Sequence, residues 1–277
     1  EKKSKNYLLL VIINKKFYKL KSLKKSKIMR KNNDNKNKRP PYYIWGHHAV
    51  LSALSNPKRI IKKLYLTEKN KVNMEQLSIL SNHPVKILHL NDIDKLFHQQ
   101  IVTHQGFVLE TQPLQKKDIK EVTNSKLLVA LDQVTDPQNI GAIMRSSKVF
   151  GATALITTKK HSPGETGSLA KAASGALEYI DIIEVTNLAA TLTLLSKKGF
   201  IIIGLDELGE SKMSDIKLDD DQPRVLVMGS EGKGLRRLTK TKCDIMAVIE
   251  NKTNNEFSTL NVSASAAISL YQLSISN

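Results

Sequence analysis

From residue 127 onward, short apolar runs alternate with stretches in which apolar residues recur every three or four positions. The first pattern predicts strands that are buried on both faces, and the second predicts amphipathic helices. The predicted strands are LLVALDQV, GATALITT, YIDIIEVT, GFIIIGLDE, RVLVMGSE and IMAVIE. The helices predicted between them include GAIMRSSKVFG, ETGSLAKAASGAL and NLAATLTLLSKKG. This alternation predicts an α/β domain over residues 127–277, built on a parallel sheet with helices on both faces.

Residues 41–114 show a second, shorter alternation. The predicted strands are YYIW, IIKKLYLTE, PVKILHL and the FVLETQPL that follows a turn at Gly106. Helices are predicted at MEQLSILSN, at NDIDKLFHQ with Asn91 or Asp92 as N-cap, and at HHAVLSALSN with an apolar side of Ala49, Val50, Ala53 and Leu54. We therefore predict a separate small α/β domain, joined to the larger one by the polar linker QKKDIKEVTNSK at residues 115–126.

The positive charge of the chain is concentrated at one end. The 277 residues carry a formal charge of +17, yet residues 1–40 hold 15 of the 43 Lys and Arg and only two of the 26 acids. This Lys- and Asn-rich leader is predicted to be disordered, and we expect residues 1–28, upstream of Met29, to be a non-native extension. The apolar run at residues 7–13 is too short to cross a bilayer, and no signal-peptide cleavage pattern follows it.

The excess of basic residues predicts a polyanionic partner, most simply RNA, and no membrane. The single cysteine, Cys243, excludes a disulfide framework and a Cys-based zinc site, and it predicts a reducing compartment such as the cytoplasm. The seven histidines show no i,i+4 pair on a predicted helix, so no metal site is expected. The chain also lacks the GxSxG elbow of serine hydrolases and the Walker A pattern.

Three polar or glycine-rich loops follow apolar strands. In LDQVTDPQNIGAIMRSS, Asn139 opens a helix and Arg145 lies further along it, while LVMGSEGKGLRR contains three glycines that let the backbone approach a ligand. In NNEFSTLNVSASAAISLY, Thr259, Asn261 and Ser263 open a helix rich in small residues. Taken singly, each loop also has a structural explanation. In the first loop Asn139 is an N-cap and Arg145 forms a surface salt bridge; the second loop is a tight turn between a strand and a helix, and the third is the start of an ordinary capped helix. Ligands of parallel sheets bind beyond the carboxyl ends of the strands, where these loops are expected.

In their order and spacing, the three loops resemble the motifs of the SpoU/TrmH family of SPOUT RNA ribose 2′-O-methyltransferases. DPQNIGAIMRSSKVFGATALI matches the first motif, VLVMGSEGKGLRR the second and STLNVSASAAISLY the third. The stretch between the first two, ETGSLAKAASGALEYIDI, also matches the family. IWGHHAVLSAL and HQGFVLE resemble the beginning and end of an accessory RNA-binding domain of the ribosomal-protein L30e type found in this family.

This resemblance implies a deep trefoil knot within residues 127–277, S-adenosylmethionine as methyl donor, and a homodimer that completes the active site. It implies methylation of a ribose 2′-hydroxyl in RNA, and the pairing of domains is most similar to members that methylate a guanosine of 23S rRNA. By position in the motifs, the implied catalytic residues are Asn139, Arg145, Glu231 and Asn261. The implied donor-binding residues are Gly229, Ile249 and Leu260.

One segment departs from the family pattern. Between Ile249 and Leu260 the family usually has a Pro and a Gly, whereas IENKTNNEFSTL has neither and is longer, so we expect a different path for this loop. Thr259 stands where the family usually has serine. Two alternatives stay open: a tRNA substrate, and a non-catalytic RNA-binding protein that keeps the knot but has lost donor binding.

Overall fold

The structure, a computed structural model, describes residues 40–75, 83–98, 100–160, 162–250 and 260–275, and residues 42–277 belong to one compact unit. The leader at residues 1–39, Thr259 and most of the altered loop before Leu260 lie outside the described residues, as does most of the helix predicted at MEQLSILSN. Among the described helices, none combines the length and apolar character needed to cross a bilayer.

The small domain contains a four-stranded sheet in the order β1-β4-β2-β3. Strand β4 runs antiparallel to β1 and β2, whereas β3 is parallel to β2. The elements are β1 (Tyr42–Trp45), α1 (His47–Ser55), β2 (Ile61–Leu66), α2 (Glu68–Glu75), β3 (Val85–Ile87), α3 (Leu90–Asp94) and β4 (Phe107–Thr111). The buried side of α1 consists of the four residues predicted from its spacing.

The start of α3 differs from the prediction. Its N-cap is His89, in extended conformation, and not Asn91 or Asp92. The carbonyl of His89 accepts hydrogen bonds from the backbone of Asp92 and Ile93, so both of these residues already lie within the helix. The earlier start brings Ile93 into the core, where its side chain is fully buried. Burial of an apolar side chain outweighs the modest preference for an Asn or Asp cap.

The larger domain contains a seven-stranded sheet in the order β7-β6-β5-β10-β8-β11-β9, with every neighbouring pair parallel. Its strands are β5 (Leu127–Asp132), β6 (Ala154–Thr158), β7 (Asp181–Val185), β8 (Ile201–Leu205), β9 (Ser211–Lys212), β10 (Arg224–Gly229) and β11 (Ile245–Val248). Its helices are α4 (Pro137–Val149), α5 (Gly167–Ala173), α6 (Leu188–Ser196), α7 (Arg237–Lys240) and α8 (Val262–Ile275). The predicted parallel α/β architecture is confirmed, and every residue of β5 and β6 is buried.

The strand order brings distant loops together. Strand β10 lies between β5 and β8, in a register that places Gly229 beside Asp132. The loops after β5 and β10 therefore leave the same edge of the sheet side by side. Helix α8 packs against α4 and β10, so the segment that opens α8 reaches the same edge.

Candidate active site

A cavity of about 650 Å³ opens beyond the carboxyl ends of β8, β10 and β11. Its walls are formed by the segments that follow β8, β10 and β11, by the segment that leads into α8, and by Lys240. The lining residues include Leu205, Asp206, Met228, Gly229, Ser230, Glu231, Lys240, Ile249, Leu260, Asn261 and Ser265. All three residues predicted to bind the methyl donor, Gly229, Ile249 and Leu260, thus face one cavity.

The loop after β10 is folded tightly against itself. The backbones of Ser230 and Gly234 exchange two hydrogen bonds of 2.9 and 3.2 Å, and Gly232 and Gly234 adopt positive φ angles of 79° and 63°. A Cβ atom at Gly229 would collide with the backbone of Gly234 and Leu235. The glycines are therefore required by the turn itself, and the turn presents bare backbone to the cavity.

A buried carboxylate fixes the far end of this loop. Asp132 is fully buried at the end of β5, and it accepts hydrogen bonds from the backbone N–H of Arg236 at 3.0 Å and from its Nε at 2.6 Å. Such charge-assisted bonds are stronger than neutral ones. Asp132 was not predicted as a site residue, although an acidic residue that ends an entirely apolar strand is a signal that could have found it.

One side chain from each of the three motifs meets at the rim of the cavity. The Nδ2 of Asn261 donates to Oε1 of Glu231 at 2.8 Å, and the Nδ2 of Asn139 donates to the same oxygen at 3.2 Å. The two amides are also joined, with Asn261 Nδ2 lying 3.1 Å from Asn139 Oδ1. The remaining oxygen of Asn261 caps α8 by accepting from the backbone of Ser263 at 2.9 Å. Three of the four predicted catalytic residues therefore form one network.

The fourth predicted catalytic residue stands apart. Arg145 is exposed on α4, does not line the cavity, and makes no hydrogen bond or ion pair with the described residues. The surface salt bridge considered for it is thus absent from the described part of the chain. The N-cap of α4 is Asp136, whose side chain accepts from the backbone of Gln138 at 3.0 Å, so the alternative of Asn139 as N-cap is wrong. Asn139 lies inside the first turn, which frees its amide for the network.

The cavity wall also contains charged residues that were not predicted, among them Asp206 and Lys240. Asp206 directly follows β8, and its carboxylate lies 2.6 Å from Nζ of Lys240. Asp206 also accepts from the backbone of Leu208 at 3.1 Å, which holds the loop after β8 in place. The rule that ligands bind at the carboxyl ends of parallel strands points to Asp206 in GLDE as well. Among the described residues, no group of three His, Cys, Asp or Glu side chains is arranged to hold a metal ion.

Comparison with known proteins places this site in a family. Residues 126–271 match the SpoU rRNA methylase family, and residues 43–117 match the RNA 2′-O ribose methyltransferase substrate-binding family. The chain therefore belongs to the SpoU rRNA methylase family.

Individual relatives agree with this assignment. The chain is 36% identical over 242 residues to the 23S rRNA (guanosine-2′-O-)-methyltransferase RlmB of Coxiella burnetii, a match that covers 83% of this chain and 94% of that protein. It is 37% identical over 246 residues to RlmB of Neisseria meningitidis, covering 84% and 94%. The crystal structure of the SpoU methyltransferase AviRb from Streptomyces viridochromogenes, in complex with AdoMet, superposes with a TM-score of 0.70 at 21% identity, covering 85% and 89%. At that identity the likeness supports the fold.

Proposed function

We propose that this chain transfers a methyl group from S-adenosylmethionine to the ribose 2′-hydroxyl of a guanosine in 23S rRNA. The observation that carries the proposal is the Asn139–Glu231–Asn261 network at the rim of a cavity lined by Gly229, Ile249 and Leu260. Membership of the SpoU rRNA methylase family and the similarity to RlmB proteins support the reaction and the substrate.

The cavity fits the methyl donor in size and in charge. Its volume of about 650 Å³ falls within the range usual for small-molecule sites. Three acids line it, Asp206, Glu207 and Glu231, against two lysines. This excess of negative charge suits a ligand that carries a sulfonium and an ammonium group. The exposed backbone after Gly229 offers hydrogen bonds to the rest of the molecule.

The donor, when bound, supplies an activated methyl group on sulfur. The hydroxyl oxygen attacks this methyl and releases its proton to solvent water. The new O–C bond replaces the S–C bond, whose electron pair stays on sulfur, so the donor leaves as a neutral thioether and the chemistry requires no metal. We assign Arg145 to the substrate phosphate, because a guanidinium binds phosphate well and is a poor base at neutral pH. Glu231 is held by two amides, which fixes its negative charge at the entrance to the cavity.

We further propose a homodimer that brings Arg145 to the cavity of its partner. Helices α4 and α8 pack together. Four of their apolar side chains are exposed: Val149 (75% exposed), Ile268 (42%), Tyr271 (53%) and Ile275 (51%). We call these four residues the apolar face. Exposed apolar patches on a folded domain mark interaction surfaces. Arg145 lies on α4 one turn before Val149 and is itself exposed, as a residue that acts across a subunit boundary needs to be.

The finer features of the fold are also proposals. We propose a trefoil knot, an exception to the usual rule against threaded chains, in residues 127–277, and an L30e-type domain in residues 41–114. Residues 115–126 would link them, and the protein would work in the cytoplasm on RNA. The meeting of one side chain from each of the three motifs at the cavity rim supports the knot, and the match of residues 43–117 to the substrate-binding family supports the domain division.

The test is to map 2′-O-methylation in 23S rRNA and in tRNA after incubation with purified protein and S-adenosylmethionine. We expect one guanosine of 23S rRNA to become methylated and tRNA to remain unchanged. Methylation of tRNA alone would establish the tRNA alternative. Normal RNA binding without calorimetric heat on addition of S-adenosylmethionine would establish the non-catalytic alternative.

A further inference from the structure

The two domains are closely packed against each other where they meet. A Cβ atom at Gly167, the first residue of α5, would collide with the indole of Trp45 in β1. A Cβ atom at Gly175 would collide with the hydroxyl of Ser52 in α1. Since glycines of the larger domain lie directly against side chains of the small one, the two domains are in close contact at the start of α5 and just beyond its end. We call this contact the interdomain seam.

A buried charge cluster lies at one end of the interdomain seam. The Arg59 side chain, from the small domain, is fully buried, and those of Glu165 and Glu178, from the larger domain, are 7% and 2% exposed. Nη2 and Nε of Arg59 donate to the two oxygens of Glu178 at 2.6 and 3.2 Å, in a bidentate arrangement. Nη1 donates to Glu165 at 2.5 Å and to the carbonyl of Gln112 at 2.9 Å.

Both carboxylates receive their hydrogen bonds from outside their own domain. Glu165 accepts from the Tyr42 hydroxyl and from the backbone of Leu114, each at 2.9 Å, and Glu178 accepts from Nδ2 of Asn56 at 2.7 Å. Burial, together with the charge of Glu165, raises the pKa of Tyr42, which keeps that hydroxyl a donor. The cluster is therefore satisfied only when the small domain is docked in one orientation.

Arg59 stays charged in this setting. Burial alone would lower its pKa, but hydrogen bonds to Glu178 and the charges of both carboxylates outweigh burial and raise it. A buried ion pair contributes little net stability, yet the removal of one partner is strongly unfavourable. Such a pair acts chiefly on orientation, because any displacement leaves a buried charge without its partner.

We propose that Arg59 is a positioning residue for methyl transfer. It holds the small domain rigidly on the larger one, so that RNA bound to the small domain reaches the cavity at a fixed distance. This proposal rests on the proposed function, since it requires that both domains contact one RNA. Domains joined by a linker move relative to each other by default, and the interdomain seam suppresses that motion.

The test compares Arg59→Met with Lys117→Met. Lys117, in the linker, forms a partly exposed ion pair with Asp181, so its loss is a matched control that leaves the buried cluster intact. We expect Arg59→Met to lower kcat/KM for an rRNA fragment about 100-fold, the effect of a misplacement of about 1 Å. Binding of S-adenosylmethionine, measured by calorimetry, should stay within about twofold of wild type, because the cavity does not touch the cluster.

A distance measurement separates positioning from a general loss of structure. Spin labels on cysteines introduced at the exposed positions 62 and 198, in a Cys243→Ser background, report the distance between the domains. We expect one narrow distance distribution in wild type and in Lys117→Met, and a broad one in Arg59→Met. If Arg59→Met does not fold, Glu178→Gln, which keeps the shape and removes one charge, replaces it.

Either of two results would overturn the proposal: wild-type kcat/KM in a variant of the cluster, or a distance distribution as narrow as that of wild type. If the proposed function itself is wrong, the experiment gives a different result. In that case the wild-type protein methylates no RNA, while the distance distributions still report whether Arg59 holds the domains.

Discussion

Asp132 and Arg236 are joined by two hydrogen bonds, one from the backbone of Arg236 and one from its side chain, although 104 positions separate them. The carboxylate ends β5, and the arginine ends the glycine loop that forms one wall of the cavity. This relationship ties the position of the loop to the sheet.

The first prediction concerns Asp132. Asp132→Asn keeps the shape but removes the charge and one acceptor, so the free energy of unfolding in urea should fall by about 1–3 kcal/mol. Because the loop loses its anchor, binding of S-adenosylmethionine should weaken about tenfold in calorimetry. Asp221→Asn is the control, since Asp221 forms an ion pair in which both side chains are largely exposed. Equal behaviour of the two variants would contradict the role of Asp132.

The second prediction concerns Gly229. Gly229→Ala places a methyl group against the backbone of Gly234 and Leu235, so the loop must move and donor binding should become undetectable. Gly151→Ala is the control, because Gly151 has a positive φ of 82° and open space around its Cβ. In the control, the free energy of unfolding should fall by about 1 kcal/mol, and the affinity for S-adenosylmethionine should not change. Calorimetric titration of both variants distinguishes a local collision from general backbone strain.

The third prediction concerns Arg145. Arg145→Ala should abolish methylation of rRNA, and donor binding should remain because Arg145 does not line the cavity. Lys148→Ala, on the same helix and also exposed, should methylate at a rate close to wild type. Transfer of a labelled methyl group to rRNA is the measurement. Near-wild-type turnover of Arg145→Ala would defeat the assignment.

The fourth prediction concerns the apolar face. Tyr271→Asp places a charge among exposed apolar side chains on α8, so a dimer formed through them should dissociate to monomers. Methylation should fall with the loss of the dimer, whereas Leu238→Asp, at another exposed apolar position, should remain dimeric. Light scattering coupled to size-exclusion chromatography gives the mass. A dimeric Tyr271→Asp protein would show that the subunits meet elsewhere.

The fifth prediction concerns Cys243. Burial, and then the charge of Asp244, raises the pKa of its thiol from 9.0 to about 12, which disfavours the reactive thiolate in the folded protein. Iodoacetamide at pH 8 should therefore modify Cys243 slowly, and quickly after unfolding in urea. Because the folded protein favours the neutral thiol, burial of Cys243 contributes fully to the free energy of unfolding below pH 9. This contribution is lost as the pH rises toward 12. Rapid modification of the folded chain would contradict the burial of the thiol.

Much of the fold follows from the sequence because strands that are buried on both faces require uninterrupted apolar runs. The six long strands of the larger sheet and the buried side of α1 were predicted on that basis, and they are present. Strand β9 was not predicted, because two residues carry no periodicity. The N-cap of α3 was predicted wrongly, because the packing of Ile93 set the start of that helix.

The sequence predicted which residues belong to the candidate site, but not which of their atoms contact one another. Its motifs named Asn139, Glu231 and Asn261, and the rule for parallel sheets placed their loops at one edge. Which atoms meet depends on the strand order, and local patterns do not determine that β10 lies next to β5. For the same reason local patterns do not predict the Arg59 cluster, in which Arg59 lies 106 positions from Glu165 and 119 positions from Glu178.

The cavity has an implication for how the protein is made. Residues 260–265 form one of its walls, and Asn261 completes the polar network at its rim. A nascent chain that has been translated only as far as β11 already contains the glycine loop and the sheet, yet its cavity lacks that wall. The ability to bind the methyl donor is therefore acquired only after residues 260–265 have been synthesised, later than the sheet and the glycine loop.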